Sequence, residues 1–376
     1  MGRGVQRFTA AACRVGVVLG LLAGALLPAW AQKVAFINPG KSDEAYWVSA
    51  AKSMEAAARS LGATLEVRYA QRQFPLALEI AREIAERPRD KMPDYVIVAN
   101  EGAAGPELLR ILASKTRVFV AFSGITQDAD VQAAGAPRQQ HPQWIGSLEP
   151  RADEAGYVIM KALIDKARAA RLRGPDGKIH VLAITGDRSA TTSVERTKGM
   201  RRAIEQAPDV VLDQEVSASF NRQKAQEVAS ELFARFPGAR VVWAGSDQMA
   251  FGAMQALEQR GGVPGRDVLF AGINTSREAL QALKSGRLSA LAGGHFILGA
   301  WALVMIHDHF RGIDFARDEG LALNASMFVS FTPRDVDVFL ARYGEDHFES
   351  IDFRQFSKAH NRRLKRYDFS FRPLLK

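Results

Sequence analysis

Residues 241–252, VVWAGSDQMAFG, decide how the chain is to be read. The four apolar residues at 241–244 have the length and composition of a short, fully buried strand. Gly245 permits a tight turn. Ser246 or Asp247 can then cap a helix expected over 249–258, because a side-chain oxygen there accepts one of the free first-turn N–H groups. In a parallel α/β sheet such a turn lies at the carboxyl edge of the strands, where ligands bind. In a single turn, capping accounts for both residues; a site follows only if other turns agree.

The same unit recurs on both sides. Strands are predicted at 33–38 (KVAFIN), 64–69, 95–99 and 117–122, with helices at 46–61 (closed by Gly62), 75–86 and 106–114 between them. A polar stretch, 126–143, interrupts the rhythm. It resumes with helix 151–169, strand 179–185, a helix over 192–206 opened by a Thr192-x-x-Glu195 capping box, strand 210–216, helix 222–236, the 241–244 strand and strand 268–273. Two runs of β-α units predict an α/β fold of two doubly wound, Rossmann-like lobes.

At the N-terminus Arg3, Arg7 and Arg14 precede an apolar run at 15–27, and A-W-A follows at 29–31. This predicts a cleavable export signal over 1–31, too short to span a membrane. The sole cysteine, Cys13, lies ahead of the apolar run. It cannot be a lipidated residue just after the cut, and the mature chain is expected to carry no disulfide and no cysteine metal site. A Gram-negative periplasm is the compartment this implies. The formal charge of +9 drops by three with the signal's arginines, which is too modest for a nucleic-acid binder. At 376 residues the chain has room for two domains, and no later apolar run reaches membrane-spanning length.

The turns after the strands agree with one another. Glu44, Tyr46 and Trp47 follow the first strand, and Ser123 and Gly124 the fourth. In the second run come Asp187, Arg188 and Arg196, then Phe220 and Asn221, Ser246 and Asp247, Asn274, and lastly Gly294 and His295 after 290–292. Rings beside carboxylate, amide, hydroxyl and guanidinium groups suit a polyhydroxylated ligand: rings stack on its C–H face and planar polar groups satisfy its hydroxyls in a dry cleft. Each residue also has a plainer reading, Trp47 and Phe220 as core, Arg196 and Glu44 as solvated surface. His307 and His309, two apart on a helix, point to different sides and make no metal pair. The motifs of serine hydrolases, zinc proteases, phosphate loops and dinucleotide sites are absent from the sequence, so no enzyme activity and no cofactor is expected.

Five stretches carry a likeness: SDEAYW at 42–47, SVERTKGM at 193–200, GSDQMAFGAMQAL at 245–257, VLFAGINTS at 268–276 and SGRLSALAG at 285–293. In this order and spacing the chain resembles the type I periplasmic binding proteins of the ribose-binding kind. It is most similar to their autoinducer-2 receptor subgroup, at 46–48, at 124–126 and in its continuation past the second lobe. The resemblance implies an N-terminal lobe over 32–148, a C-terminal lobe over 149–294, a return at 295–326 and a last segment with an extension at 327–376. A three-crossing hinge is implied near 148–150, 293–295 and 326. The ligand residues it implies are Glu44, Tyr46, Trp47, Ser123, Gly124, Arg196, Phe220, Ser246, Asp247, Asn274 and His295. Gly294 stands where the family carries a side-chain donor, which leaves His295 as the expected substitute. The implied function is a monomeric periplasmic receptor that closes over a small, sugar-like polar ligand and delivers it to an ABC permease. The alternative is a receptor whose liganded form is read by a membrane sensor domain. Neither reading involves metal, nucleic acid or embedding in a membrane.

The extension, 332–376, holds ten Lys/Arg against seven Asp/Glu, with a basic cluster at 360–366. Phe339, Phe348, Phe353, Phe356, Phe369 and Phe371 argue against disorder and predict a helix at 333–343, then a strap packed on a lobe. The basic cluster reads as a solvated face or as a docking surface for a membrane partner.

Overall fold

Runs of Val, Ile and Ala too short for helices alternate with amphipathic segments, and the chain winds them into two open sheets. The computed structural model describes Met1 and residues 31–376; the arginines, apolar run and Cys13 of the expected export signal lie outside the described residues. The first run comprises β1 (Lys33–Asn38), α1 (Ala45–Leu61), β2 (Thr64–Tyr69), α2 (Phe74–Ala85), β3 (Tyr95–Val98), α3 (Gly105–Leu112), β4 (Arg117–Ala121), α4 (Asp128–Ala134) and β5 (Trp144–Pro150). The second comprises α5 (Ala152–Ala169), β6 (Ile179–Thr185), α6 (Thr191–Glu205), β7 (Val210–Ser217), α7 (Arg222–Arg235), β8 (Val241–Ala244), α8 (Asp247–Gln259), β9 (Leu269–Ile273), α9 (Arg277–Lys284) and β10 (Ala290–Gly293). After these come α10 (Leu298–Phe310), β11 (Ala322–Ala325), β12 (Val329–Ser330) and α11 (Pro333–Tyr343).

Six strands form each sheet, in the orders β11-β5-β4-β3-β1-β2 and β12-β10-β9-β8-β6-β7. The first is parallel throughout; the second is parallel except for β12, which runs antiparallel to β10. Central strands β3 and β8 are buried along their whole length, as expected when helices cover both faces of a parallel sheet. In the first sheet Phe36, Ile97 and Phe119 face α1 and α10, while Ile37, Val96 and Val120 face α2 and α3. The chain passes between the sheets after β5, after β10 and after β11.

Two sequence expectations change. The polar break at 126–143 contains a short helix, α4, opened by Asp128 and Asp130 in its first turn. The capping box at Thr192 and Glu195 does not form: α6 begins a residue earlier, Ala190 is its N-cap without a side-chain bond, and Glu195 pairs with Lys198 instead. Asp187 sets that start by accepting both the N–H and the hydroxyl of Ser189, at 2.8 and 2.6 Å.

The segment beyond α11 is pinned to both lobes. Helix α11 carries a formed capping box (Thr332 and Asp335) and packs with α9. The strap then crosses to the first lobe, where Ser49 donates to Asp346 at 2.6 Å and Phe353 and Phe356 close edge-on against Trp301 of α10. The fully buried Asp308 accepts from the Ser357 hydroxyl, the Lys358 and Ala359 N–H groups and the Tyr367 hydroxyl, at 2.5–3.0 Å. Its last residues return to α11, where the Leu374 carbonyl accepts from Tyr343 and Arg342. Beyond the three crossings of the sheets, the strap therefore adds two more.

Candidate ligand-binding cleft

A cavity opens where the carboxyl edges of the two sheets face each other. Its wall brings together Glu44, Tyr46, Trp47 and Ser123 from the first lobe with Arg196, Phe220, Ser246, Asp247 and Asn274 from the second. These nine positions lie up to 230 residues apart in sequence and meet because each follows a strand's carboxyl end. The cavity leaves about 60 Å³ for the centre of a water-sized sphere. For a compact shape that is roughly 200 Å³ of space once the sphere's ~1.4 Å radius is added. One monosaccharide-sized molecule fits.

Local chemistry explains how each side chain is held. Ser246 is the N-cap of α8 and accepts from the Met249 N–H, so the capping role and the cleft position coexist. Asp247, only 2% exposed, accepts from Asn274 Nδ2 at 2.9 Å and from the Gln248 N–H at 2.8 Å. Burial pushes its carboxyl up, against those hydrogen bonds and one from Ser276. Asn274 holds its place with φ of 116°, one of the few non-glycine residues at positive φ. Phe220, also at positive φ, lies over Gly186, where any Cβ would strike its ring, and carries Arg72 on its face at 5.7 Å.

Trp47 is part of the core and also reaches the cavity wall. It packs edge-on to Phe122 at 5.1 Å and lines the cavity, yet its indole Nε1–H is buried without an acceptor. Arg196 is 5% exposed and donates to the Gly245 carbonyl at 2.8 Å and to His295 Nε2 at 2.9 Å; its Nε–H has no acceptor. Burial lowers its pKa from the ordinary guanidinium value. Burial likewise raises the Tyr46 hydroxyl, which stays protonated.

His295 and Gly124 do not join the wall. Tyr46 stacks on the His295 ring at 4.9 Å, Phe328 covers its other side at 4.4 Å, and Arg196 takes its Nε2. His295 thus stands behind Arg196, and it does not replace a donor at Gly294. Gly294 lies at φ 94° beneath Phe371 of the strap, whose ring a Cβ would meet at 2.7 Å. Gly124 works through its carbonyl, which accepts from Asn100 within the first lobe and from the Thr191 hydroxyl of the second at 3.1 Å. With Gln127 donating to the Ser189 carbonyl at 2.9 Å, these contacts hold the lobes closed around the cavity.

Sequence reasoning missed Arg72, Glu101, Phe122, Thr192 and Gln248, all on the wall. Arg72 is held by both oxygens of Glu44, with Nε to Oε2 at 2.9 Å, and lies 3.6 Å from Glu101. Glu101 follows strand β3, so the rule used for the other turns would have found it. Arg72 follows edge strand β2, and nothing nearby in sequence reveals its bond to Glu44. His307 and His309 do diverge, toward His360 and the Tyr95 hydroxyl; among the described residues no His/Cys/Asp/Glu group is placed to hold a metal ion.

Comparison with known proteins gives a family model, "Periplasmic binding protein domain", matching residues 34–314. A periplasmic sugar-binding protein from Pseudomonas fluorescens is similar in structure, with 38% identity and a TM-score of 0.80 over 91% of this chain and 99% of its own. The galactofuranose-binding protein YtfQ of Escherichia coli is 31% identical over 30% of this chain and 36% of its own length. The ribose import binding protein RbsB of Bacillus subtilis is 33% identical over 29% of this chain and 34% of its own. The chain thus aligns with about a third of the length of these curated relatives.

Proposed function

Because the chain belongs to the periplasmic binding protein family, we propose that it is a periplasmic receptor which closes over one neutral, polyhydroxylated molecule of monosaccharide size and hands it to an ABC permease. The observation that carries this reading is a half-enclosed cavity whose lining residues Arg196 and Trp47 each keep a buried donor, Nε and Nε1, that the protein leaves without an acceptor. Buried donors without partners cost about 1–3 kcal/mol each. A ligand oxygen in the cavity removes that cost only while the lobes are closed, which is how a two-lobed protein couples closure to occupancy.

The charges favour a neutral ligand. Glu44, Glu101 and Asp247 on the wall outnumber Arg72 and Arg196, and Arg72 is already engaged by Glu44. An anion would meet carboxylates it cannot satisfy; a polyol can donate to them and accept from the guanidinium and indole. In this reading lobes 32–148 and 149–294, with the return at 295–326, turn about 148–150, 293–295 and 326. Among relatives, import proteins for ribose favour transport over sensing. No helix among the described residues is long and apolar enough to cross a membrane.

Titration calorimetry of the exported chain against ribose, galactose, allose, xylitol, myo-inositol and autoinducer-2 tests the proposal. One of the neutral polyols should bind with Kd about micromolar or tighter, ~8 kcal/mol or more, and be recovered unchanged. Preference for an anionic solute, or turnover of the ligand into product, overturns it.

A further inference from the structure

Four cations at the outer bend of the strap, Arg362, Arg363, Lys365 and Arg366, are exposed and carry no side-chain hydrogen bond or ion pair among the described residues. Most arginines elsewhere on the surface meet a carboxylate, as Arg68 meets Glu83, Arg168 meets Asp209, Arg222 meets Glu278 and Arg287 meets Glu258. The bend is not a loose tail. The Leu364 N–H bonds the Asn361 carbonyl at 3.0 Å, and Asp308 anchors the chain on either side.

Two more free cations join this face. Arg311 lies one turn beyond His307, whose ring stacks on His360, two residues before Arg362. Arg317 lies two residues before Glu319, which accepts from the Tyr367 N–H at 3.0 Å, next to Arg366. Both are exposed and without a partner among the described residues. Three carboxylates near this end are occupied: Glu319 and Asp318 hold the Lys358 ammonium at 2.8 and 3.3 Å, and Asp314 holds Arg138, while Asp368 accepts the Ser370 N–H. Phe310 is exposed in the sequence beside Arg311, at the end of α10.

This face lies far from the cleft. Helix α10 starts next to Gly294 and runs roughly 20 Å at ~1.5 Å per residue. Strand β11, parallel to β5, starts at the opposite edge of the sheet from the hinge, so residues 311–321 sit at the amino edge of the first lobe.

We propose that this arginine-rich end of the first lobe docks on an anionic lipid surface, with headgroup phosphates as its partners. Unpaired guanidiniums on an exposed, anchored bend suit a sheet of phosphates, since each reaches an acceptor without matching a shape. A protein partner would call for a packed apolar centre ringed by polar residues, and here one phenylalanine stands among six cations. Docking by this end leaves the cavity free while holding the receptor near membrane partners.

Co-sedimentation of the exported chain with phosphatidylcholine vesicles, with and without phosphatidylglycerol, tests this. Wild type should sediment only with the phosphatidylglycerol vesicles, less as salt is raised, because surface charges are screened. R362Q/R363Q/K365Q/R366Q should partition at least ~10-fold more weakly, given the cost of each lost cation near an anionic surface. R311Q/R317Q, on a separate segment, should weaken binding independently and decides the matter if the fourfold variant does not fold. Both variants should keep wild-type sugar affinity. Wild type that ignores phosphatidylglycerol, leaving an acidic protein as the partner of this face, overturns the proposal; so do variants that bind like wild type.

Discussion

Arg196 is oriented by the residue behind it. Since Arg196 Nη2–H donates to His295 Nε2, the ring's proton must sit on Nδ1, which is buried without an acceptor. Burial, and then the charge of Arg196, hold His295 well below the usual histidine range, so it stays neutral and keeps accepting. Two of the guanidinium's donors are thereby fixed on Gly245 and His295, and the Nε–H has no acceptor within the protein. Arg196→Ala should weaken ligand binding by ~2–3 kcal/mol, the range for hydrogen bonds to a charged group. It should also lower the apo melting temperature, because the Gly245 carbonyl and His295 lose their donor. Arg196→Lys should recover only part of the affinity, since one ammonium cannot hold both partners and face the cavity. Calorimetry and thermal melts on the three proteins check this; binding of the alanine variant within about twofold of wild type would remove Arg196 from the site.

Helix α6 carries Arg196, and its distance from α5 is set by two glycines. A Cβ at Gly156 would land on the Arg196 carbonyl oxygen, and one at Gly199 on that of Asp153, so the backbones touch with no side chain to yield. Gly156→Ala should push α6 outward, destabilise the fold by ~1–3 kcal/mol and weaken ligand binding by moving Arg196. Gly238→Ala, with nothing within 4 Å of its Cβ, should leave both the melt and the affinity unchanged. Equal melts for the two variants would show that the helices can separate at no cost. The elements themselves were legible in the sequence because burial on both faces demands unbroken apolar strands, and because turns at one sheet edge collect the polar residues. What sequence periodicity cannot carry is long-range pairing. Glu44 with Arg72, Arg196 with His295 and Asp308 with the strap join residues 28 to 99 positions apart. The capping box failed for a local reason, since Asp187 starts α6 earlier than Thr192 would.

At the scale of the whole molecule, one carboxyl sits where the chain first passes from lobe to lobe. Glu149, at the end of β5, is turned against Gly124 of the first lobe and feels the charge of Glu195 on α6 of the second. Burial, opposed by the Gly124 N–H and helped by Glu195, pushes its pKa up to about 7 from an ordinary 4.5. The folded protein therefore holds a proton that the unfolded chain releases between pH 4.5 and about 7. Where the folded state binds more protons than the unfolded one, stability falls as pH rises. The stability Glu149 contributes is complete below pH 4.5 and lost as pH climbs through about 7. Fully buried, such a shift would be worth ~3 kcal/mol; partial contact with solvent reduces it to ~1–2 kcal/mol. Glu149→Gln mimics the protonated form at every pH. Its melting temperature should match wild type near pH 5 and exceed it near pH 8, and the wild-type curve should show the steeper decline between. Parallel curves for the two proteins would mean that Glu149 is solvated when the lobes are closed.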